Sequence, residues 1–165
     1  MFAAWVVYRV TVYLKYGNFS KKKEFELLLL FVYVILIMRG VLFPMHSLDG
    51  GPVRAVVDPA SVFTANVNYV PFTFWGDFYP GWQINVFGNI FLFVPVGILF
   101  PLAFENIDSV KKAICVGIAF TCTIEFLQLF LSDRCTDVDD IMLNSLGAAM
   151  GAVIWFKDKK LRRVL

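Results

Sequence analysis

Histidine occurs once in this chain, at His46, and the three cysteines, Cys115, Cys122 and Cys135, form no Cys-x-x-Cys pair. No Cys/His set therefore reads as a metal centre, and no Ser/His or Cys/His pairing supplies an activated nucleophile. The cysteines read as free thiols, and His46, beside Pro44, reads as an interfacial loop residue. Charge is also scarce. Only 17% of the 165 residues are charged, against about a quarter in soluble domains. A net charge of +2, with no basic stripe interleaved with aromatics, argues against nucleic acid as a partner. There is no internal repeat and no low-complexity segment, which argues against an inverted-repeat transporter. What the chain has in excess is apolar surface: 59% of residues are hydrophobic and the mean hydropathy is +0.70. A single domain of this length has too little interior to hide that surface, so lipid is the expected solvent.

Four long apolar stretches, residues 25–43, 82–104, 113–131 and 141–156, stand out. Three approach the roughly 20 residues that span a bilayer as helix, and the last needs local thinning or its flanking residues to complete a span. A fifth stretch, residues 2–16, carries Arg9 and Lys15 and reads either as a marginal span or as an amphipathic surface helix. It lacks the positive n-region and small-x-small cleavage site of a secretory signal. The expectation is an all-α, polytopic membrane helical bundle of four to five transmembrane helices, one domain over residues 1–165.

Basic residues alternate between the connections. Lys15 and Lys21–Lys23 flank the first gap, Lys111 and Lys112 follow the second long stretch, and Lys157, Lys159, Lys160, Arg162 and Arg163 crowd the tail. The other two connections hold only Arg54 and Arg134. The positive-inside rule then puts the tail and the 105–112 turn in the cytoplasm, and the loop at about 45–81 and the 132–140 turn outside. That outer loop is punctuated by Gly50, Gly51, Pro52, Pro59, Pro71 and Pro80. Its Trp75, Phe78 and Tyr79, with Trp82, read as an interfacial aromatic belt or a ligand-stacking surface.

Polar residues recur inside the apolar stretches at helical spacing. Thr121, Glu125, Gln128 and Ser132 form one stripe, Asp140, Asn144, Gly147 and Gly151 a second, and Asn85 with Asn89 a third. Lipid offers no hydrogen bonds, so these stripes must face one another or a wet cavity. A helix running to Leu131 would put Glu125 about 9 Å below its outer end, and Asn89, Asn144 and Arg39 enter from the same side. Arg39 is the expected counter-ion of Glu125, with Arg134 as its competitor. Pro95 removes a helix hydrogen bond at the carbonyl of Phe91, which gives either a packing kink or an opening of the cavity. Gly147-x-x-x-Gly151 permits close helix approach, within the monomer or between copies.

The blocks NVNYVPF (66–72), GNIFLFVPVG (88–97), IEFLQ (124–128) and RCTDVDDIMLNSLGAAMG (134–151), in this order, resemble the VanZ-like family of bacterial membrane proteins. The resemblance implies a small helical bundle in a bacterial cytoplasmic membrane. The family is named for a member linked to resistance against the glycopeptide teicoplanin, and resistance is a property of some members only. Carried over by motif, the polar positions are Asn89, Glu125, Gln128, Arg134, Asp137, Asp140 and Asn144, to which the reading above adds Arg39 as a ligand-binding candidate.

Three function classes fit these residues. In the first, an outward-facing cleft binds a lipid-linked or amphiphilic molecule such as a cell-wall precursor or a glycopeptide. Arg39 and Arg134 would meet phosphate or carboxylate there, while the negative balance of Asp137, Asp139 and Asp140 would be relieved by a cation on the ligand or a divalent ion. In the second, the chain is an integral membrane enzyme with Glu125 as general acid or base and Asp137, Asp139 and Asp140 as metal candidates. Such aspartates also cap helix N-termini, a role open to Asp139 or Asp140. In the third, the stripes lock the helices of a partner subunit together. Membrane lipid is the implied partner in every case, and no cofactor is implied.

Overall fold

The computed structural model of the chain describes residues 2–17, 20–42, 57–63, 66–73, 82–131 and 134–164. His46, Arg54, Trp75, Phe78, Tyr79 and Ser132 lie outside the described residues. Five helices carry the fold: α1 (Phe2–Tyr16), α2 (Lys21–Leu42), α3 (Trp82–Ala103), α4 (Val110–Gln128) and α5 (Val138–Val164). Each matches one of the five apolar stretches, because a continuous run of good helix formers satisfies its own backbone groups. The all-α expectation needs one amendment. Strands β1 (Asn66–Asn68) and β2 (Cys135–Asp137) pair in parallel, with Val67 opposite Thr136.

Several helix ends are set by local chemistry. Ser109, in extended backbone, caps α4 by accepting from the Lys112 amide, and Lys112 Nζ lies 3.0 Å from Asp108. At its far end α4 tightens. Phe130 and Leu131 donate to the carbonyls of Leu127 and Gln128, three residues back, so regular helix stops at Gln128 rather than at Leu131. The segment that the sequence reading places outside (the outer segment) joins this end through a Val57–Leu131 bridge and the Asp58 amide on the Phe130 carbonyl. Helix α5 starts earlier than its apolar run and continues through the basic tail to Val164.

The helices alternate in direction. Leu30 packs with Leu99 and Ala103 while Ile37 packs with Phe93 and Val96, so α2 and α3 are antiparallel. Asn144 meets Thr121 while Ala152 packs with Ala113, so α4 and α5 are antiparallel too. Lys23 Nζ lies 3.9 Å from Glu105, which gathers the start of α2 and the α3–α4 turn at one end of the bundle. Residues 57–63, 66–73, 129–131 and 134–137 occupy the other. Helix α1 is joined to α2 by the fork of Arg9 on Glu24 and by Trp5 stacked on Phe31.

Among the described residues, α2 and α3 are long and apolar enough to cross a membrane, with only 11% and 33% of their spanning windows buried. The core helix of a soluble protein would be mostly buried; these instead expose Leu29, Val32 and Leu36, and Ile84, Phe87 and Phe91. Helices α4 and α5 are less apolar: α4 carries Glu125 with Lys111 and Lys112, and α5 carries Asp139, Asp140 and Asn144 together with its charged C-terminal turns.

The tightest contact is α3 against α5. A Cβ on Gly147 would land on the carbonyl oxygen of Ile90, and one on Gly151 on that of Val94. A Cβ on Gly97 would fall 2.6 Å from the Ala152 amide nitrogen and onto the Ala148 carbonyl oxygen. The glycine pair thus packs within the chain, on the helix that carries Pro95, and the turn after that proline is filled by α5 rather than opened. On the other side of α3 the Tyr33 hydroxyl donates to the neighbouring Leu92 carbonyl. Tyr33→Phe should lower the unfolding free energy by about 0.5–1.5 kcal/mol, read as a fall in thermal midpoint of the detergent-solubilised protein.

Candidate functional site

The polar stripes converge where α4 stops and α5 begins. Thr121, Glu125 and Gln128 are 0%, 3% and 5% exposed, and Asn144 is 2% exposed. Because α4 ends at Gln128, Glu125 sits only about 4–5 Å inside it, shallower than a helix to Leu131 would allow. Asn144 lies about 9 Å along α5, where its Nδ2 donates to Thr121 Oγ1 at 3.0 Å. Thr121 and Asn144 define a polar floor roughly two turns into an apolar bundle, with Glu125 and then Gln128 nearer the end of α4.

Above it are the carboxylates. Glu125 Oε2 accepts from the Asp137 amide at 3.1 Å, and the Thr136 hydroxyl donates to the Glu125 carbonyl. Asp140 Oδ1 accepts from Asn89 Nδ2 at 2.6 Å, and the same Nδ2 lies 3.3 Å from Asn85 Oδ1. Helices α3, α4 and α5 are thereby joined through side chains that a spacing argument assigns to one face each. Asp137 and Asp140 lie near enough for their charges to act on Glu125.

The three aspartates do different jobs. Asp137, not Asp139 or Asp140, caps α5: its Oδ1 accepts from the Asp139 amide at 2.8 Å and also from Asn68 Nδ2 at 3.1 Å. Asp139 is 3% exposed and points to the outer segment. It accepts from the Phe72 amide at 2.6 Å, the Thr73 amide at 2.8 Å and the Thr73 hydroxyl at 2.7 Å. Phe72 holds a φ of +66°, a conformation rare for a bulky L residue. Asp140 turns to Asn89. The metal candidates therefore splay, and among the described residues no three His, Cys, Asp or Glu side chains are grouped to hold an ion.

The expected arginine pairings do not form. Arg39 is exposed on α2, and Arg134 is half-buried before β2. The ion pairs among the described residues are Arg9–Glu24, Lys23–Glu26, Lys23–Glu105 and Lys112–Asp108, so the Glu125 carboxylate is met by a backbone amide instead of either guanidinium. Gln128 Nε2 reaches the Val41 carbonyl at 3.4 Å, tying α4 to α2. All three thiols are exposed, Cys115 and Cys122 on α4 and Cys135 on β2. Partial burial pushes the Cys135 thiol up, a hydrogen bond to the Asn68 backbone opposes this, and the nearby Asp137, Asp140 and Glu125 add to the rise. A thiol held protonated in that way is a poor nucleophile.

Sequence reasoning missed Asn68, Thr73 and the true role of Asp139. The signal was limited to the NVNYVPF block and the turn chemistry of Pro71. Their partners lie 66 to 69 positions away.

Comparison with known proteins agrees with this placement. The chain is similar to "Protein VanZ" of Enterococcus faecium, 27% identical over 106 residues, 61% of this chain and 62% of that protein. It thus matches about three fifths of the relative's length. No solved structure matches it. The VanZ/LLP1 family model runs over residues 29–161, taking in α3, α4, the acidic turn, the larger part of α2 and nearly all of α5. With that coverage, and with the polar residues of the four sequence blocks meeting at one end of one bundle, this chain belongs to the VanZ/LLP1 family.

Proposed function

We propose that this chain is a multi-pass protein of a bacterial cytoplasmic membrane, with a cytoplasmic C-terminus, whose outward-facing polar cleft binds a lipid-linked or amphiphilic envelope ligand. The lysine distribution supports the orientation: the Lys21–Lys23 and Lys111–Lys112 clusters share one end of the bundle, opposite the cleft. The observation that carries the reading is Glu125, a carboxylate 3% exposed among apolar helices, met by one backbone donor and no basic side chain. Buried charge is costly, and a group that only locked helices together would serve as well uncharged. Membership of a family named for a member linked to teicoplanin resistance supports a ligand at the outer face.

A scaffold reading draws support from the Asn144–Thr121 and Asn89–Asp140 bonds between helices. One experiment separates the two. Wild type and Glu125→Gln are expressed in a teicoplanin-sensitive host, scoring susceptibility together with membrane abundance. The binding reading expects protection by wild type and its loss, about tenfold or 1.4 kcal/mol of ligand affinity, in an equally abundant mutant. Loss of folded protein in that mutant and in Asn144→Ala favours the scaffold. A well-expressed wild type that gives no protection would sever the link to glycopeptides.

A further inference from the structure

We infer that the cleft takes its ligand through a primary ammonium group, and not through a phosphate or carboxylate. This deepens the binding reading of the same site and rests on it. The carboxylates leave three oxygens without a donor among the described residues. Glu125 is served only at Oε2, Asp140 only at Oδ1, and both hydrogen bonds to Asp137 fall on Oδ1. An independent observation lies on either side of them. Gln128 Oε1 and Asn144 Oδ1 are buried with no hydrogen-bond partner, in side chains 5% and 2% exposed. Both amides have spent their NH₂ groups elsewhere, on the Val41 carbonyl and on Thr121. Gln128 lies one turn from Glu125 toward the end of α4, and Asn144 one turn deeper than Asp140 on α5, so the orphan carbonyls flank the carboxylates along the same stripes.

Buried polar atoms in folded proteins are nearly always satisfied, by protein, water or ligand, so orphans on both sides of the carboxylates mark acceptors that a bound donor can serve. Both of these orphans are acceptors; the other two buried side-chain atoms without a hydrogen bond among the described residues, Arg134 Nε and Trp155 Nε1, are donors that lie before β2 and far along α5. An anionic headgroup would add like charge beside Glu125, Asp137 and Asp140 and bring no donor. A divalent ion would need converging hard oxygens, whereas these aspartates splay. An ammonium supplies a positive charge and three N–H donors in diverging directions, the complement of dispersed carboxylate and amide oxygens.

The test uses the full chain in nanodiscs of phosphatidylglycerol and phosphatidylcholine, which contain no primary amine. Thermal midpoints are read with octylammonium, octyltrimethylammonium, octyl phosphate or calcium chloride. Octylammonium at a hundredfold excess over its Kd should raise the midpoint by about 5 °C, with no shift from the other three. Glu125→Gln and Asp140→Asn should each weaken octylammonium at least about tenfold. Gln128→Leu, which keeps the volume and removes one orphan oxygen, should do the same and serves if an acidic-site variant fails to fold. An equal shift from octyltrimethylammonium, which has no N–H, overturns the inference, as does a calcium shift abolished by the same variants. A shift from octyl phosphate alone that Gln128→Leu abolishes overturns the ammonium while leaving a binding cleft. No shift from any probe removes the cleft as well.

Discussion

Gly151→Leu should leave almost no folded bundle. At Gly151 even a Cβ would fall on the Val94 carbonyl oxygen and within 3.2 Å of the Gly97 Cα, so both neighbours are backbone of a packed helix. Backbone cannot swing aside as a side-chain tip can, and α3 would have to move away from α5 along its length. Gly151→Ala is expected to cost about 3 kcal/mol, the upper end of ordinary overpacking, and leucine considerably more. Lipid tails are as apolar as leucine, so helices in a membrane associate through close packing and small residues set how close they come. Fluorescence-detected size exclusion of the solubilised protein reads the outcome as loss of the monodisperse peak. Gly88 is the control, because a Cβ there would meet nothing within 4 Å. Gly88→Ala should be neutral or stabilising by up to about 1 kcal/mol. A monodisperse Gly151→Leu protein would mean that α3 and α5 do not make this contact.

Asp139→Asn should release the outer segment while sparing the helices. The carboxylate takes three donors from Phe72 and Thr73, and an asparagine of the same shape would set its NH₂ against one or more of them. Hydrogen bonds to a charged acceptor contribute about 1.5–3 kcal/mol each. Phe72 at φ +66° adds a strain of about 1–2 kcal/mol that those bonds offset. Losing about 3 kcal/mol of docking should raise amide exchange at Phe72 and Thr73 roughly a hundredfold, with protection inside α3 and α5 little changed. Unchanged protection at those two amides would show that the β1–β2 pairing holds the segment without Asp139. A fall in protection throughout the bundle would make the outer segment part of the cooperative fold.

These two residues also mark where the sequence ceased to be legible. Gly147 and Gly151 announce close approach by their spacing, but the same spacing serves a monomer and a dimer. The choice depends on Ile90 and Val94, some 57 positions away, presenting their carbonyls to the gap. Asp139 reads as a cap or a metal ligand because sequence shows its neighbours in the chain, and it neither caps nor joins a metal cluster. Asp137 caps in its place, since the cap must precede the first helical residue, and the chain enters α5 at Val138. The pairing of Arg39 with Glu125 failed for a related reason. Depth along a helix says nothing about which way around its axis a long side chain points, and Arg39 lies exposed.

Hydropathy and periodicity by themselves determined the five helices, the end of the bundle at which they place their polar residues, and the stripe that Thr121, Glu125 and Gln128 share. Those are local properties: a run of apolar side chains and a repeat of 3.6 act within one helix, whatever it packs against. Tertiary structure alone decided that α4 stops at Gln128, that the outer segment is bound to Asp139, and that the carboxylates meet amides rather than arginines. It also decided which acceptors were left over. A hydrogen bond is fixed within a few tenths of an ångström, and only the packing of α3, α4 and α5 against one another sets distances that fine between residues so far apart in the chain.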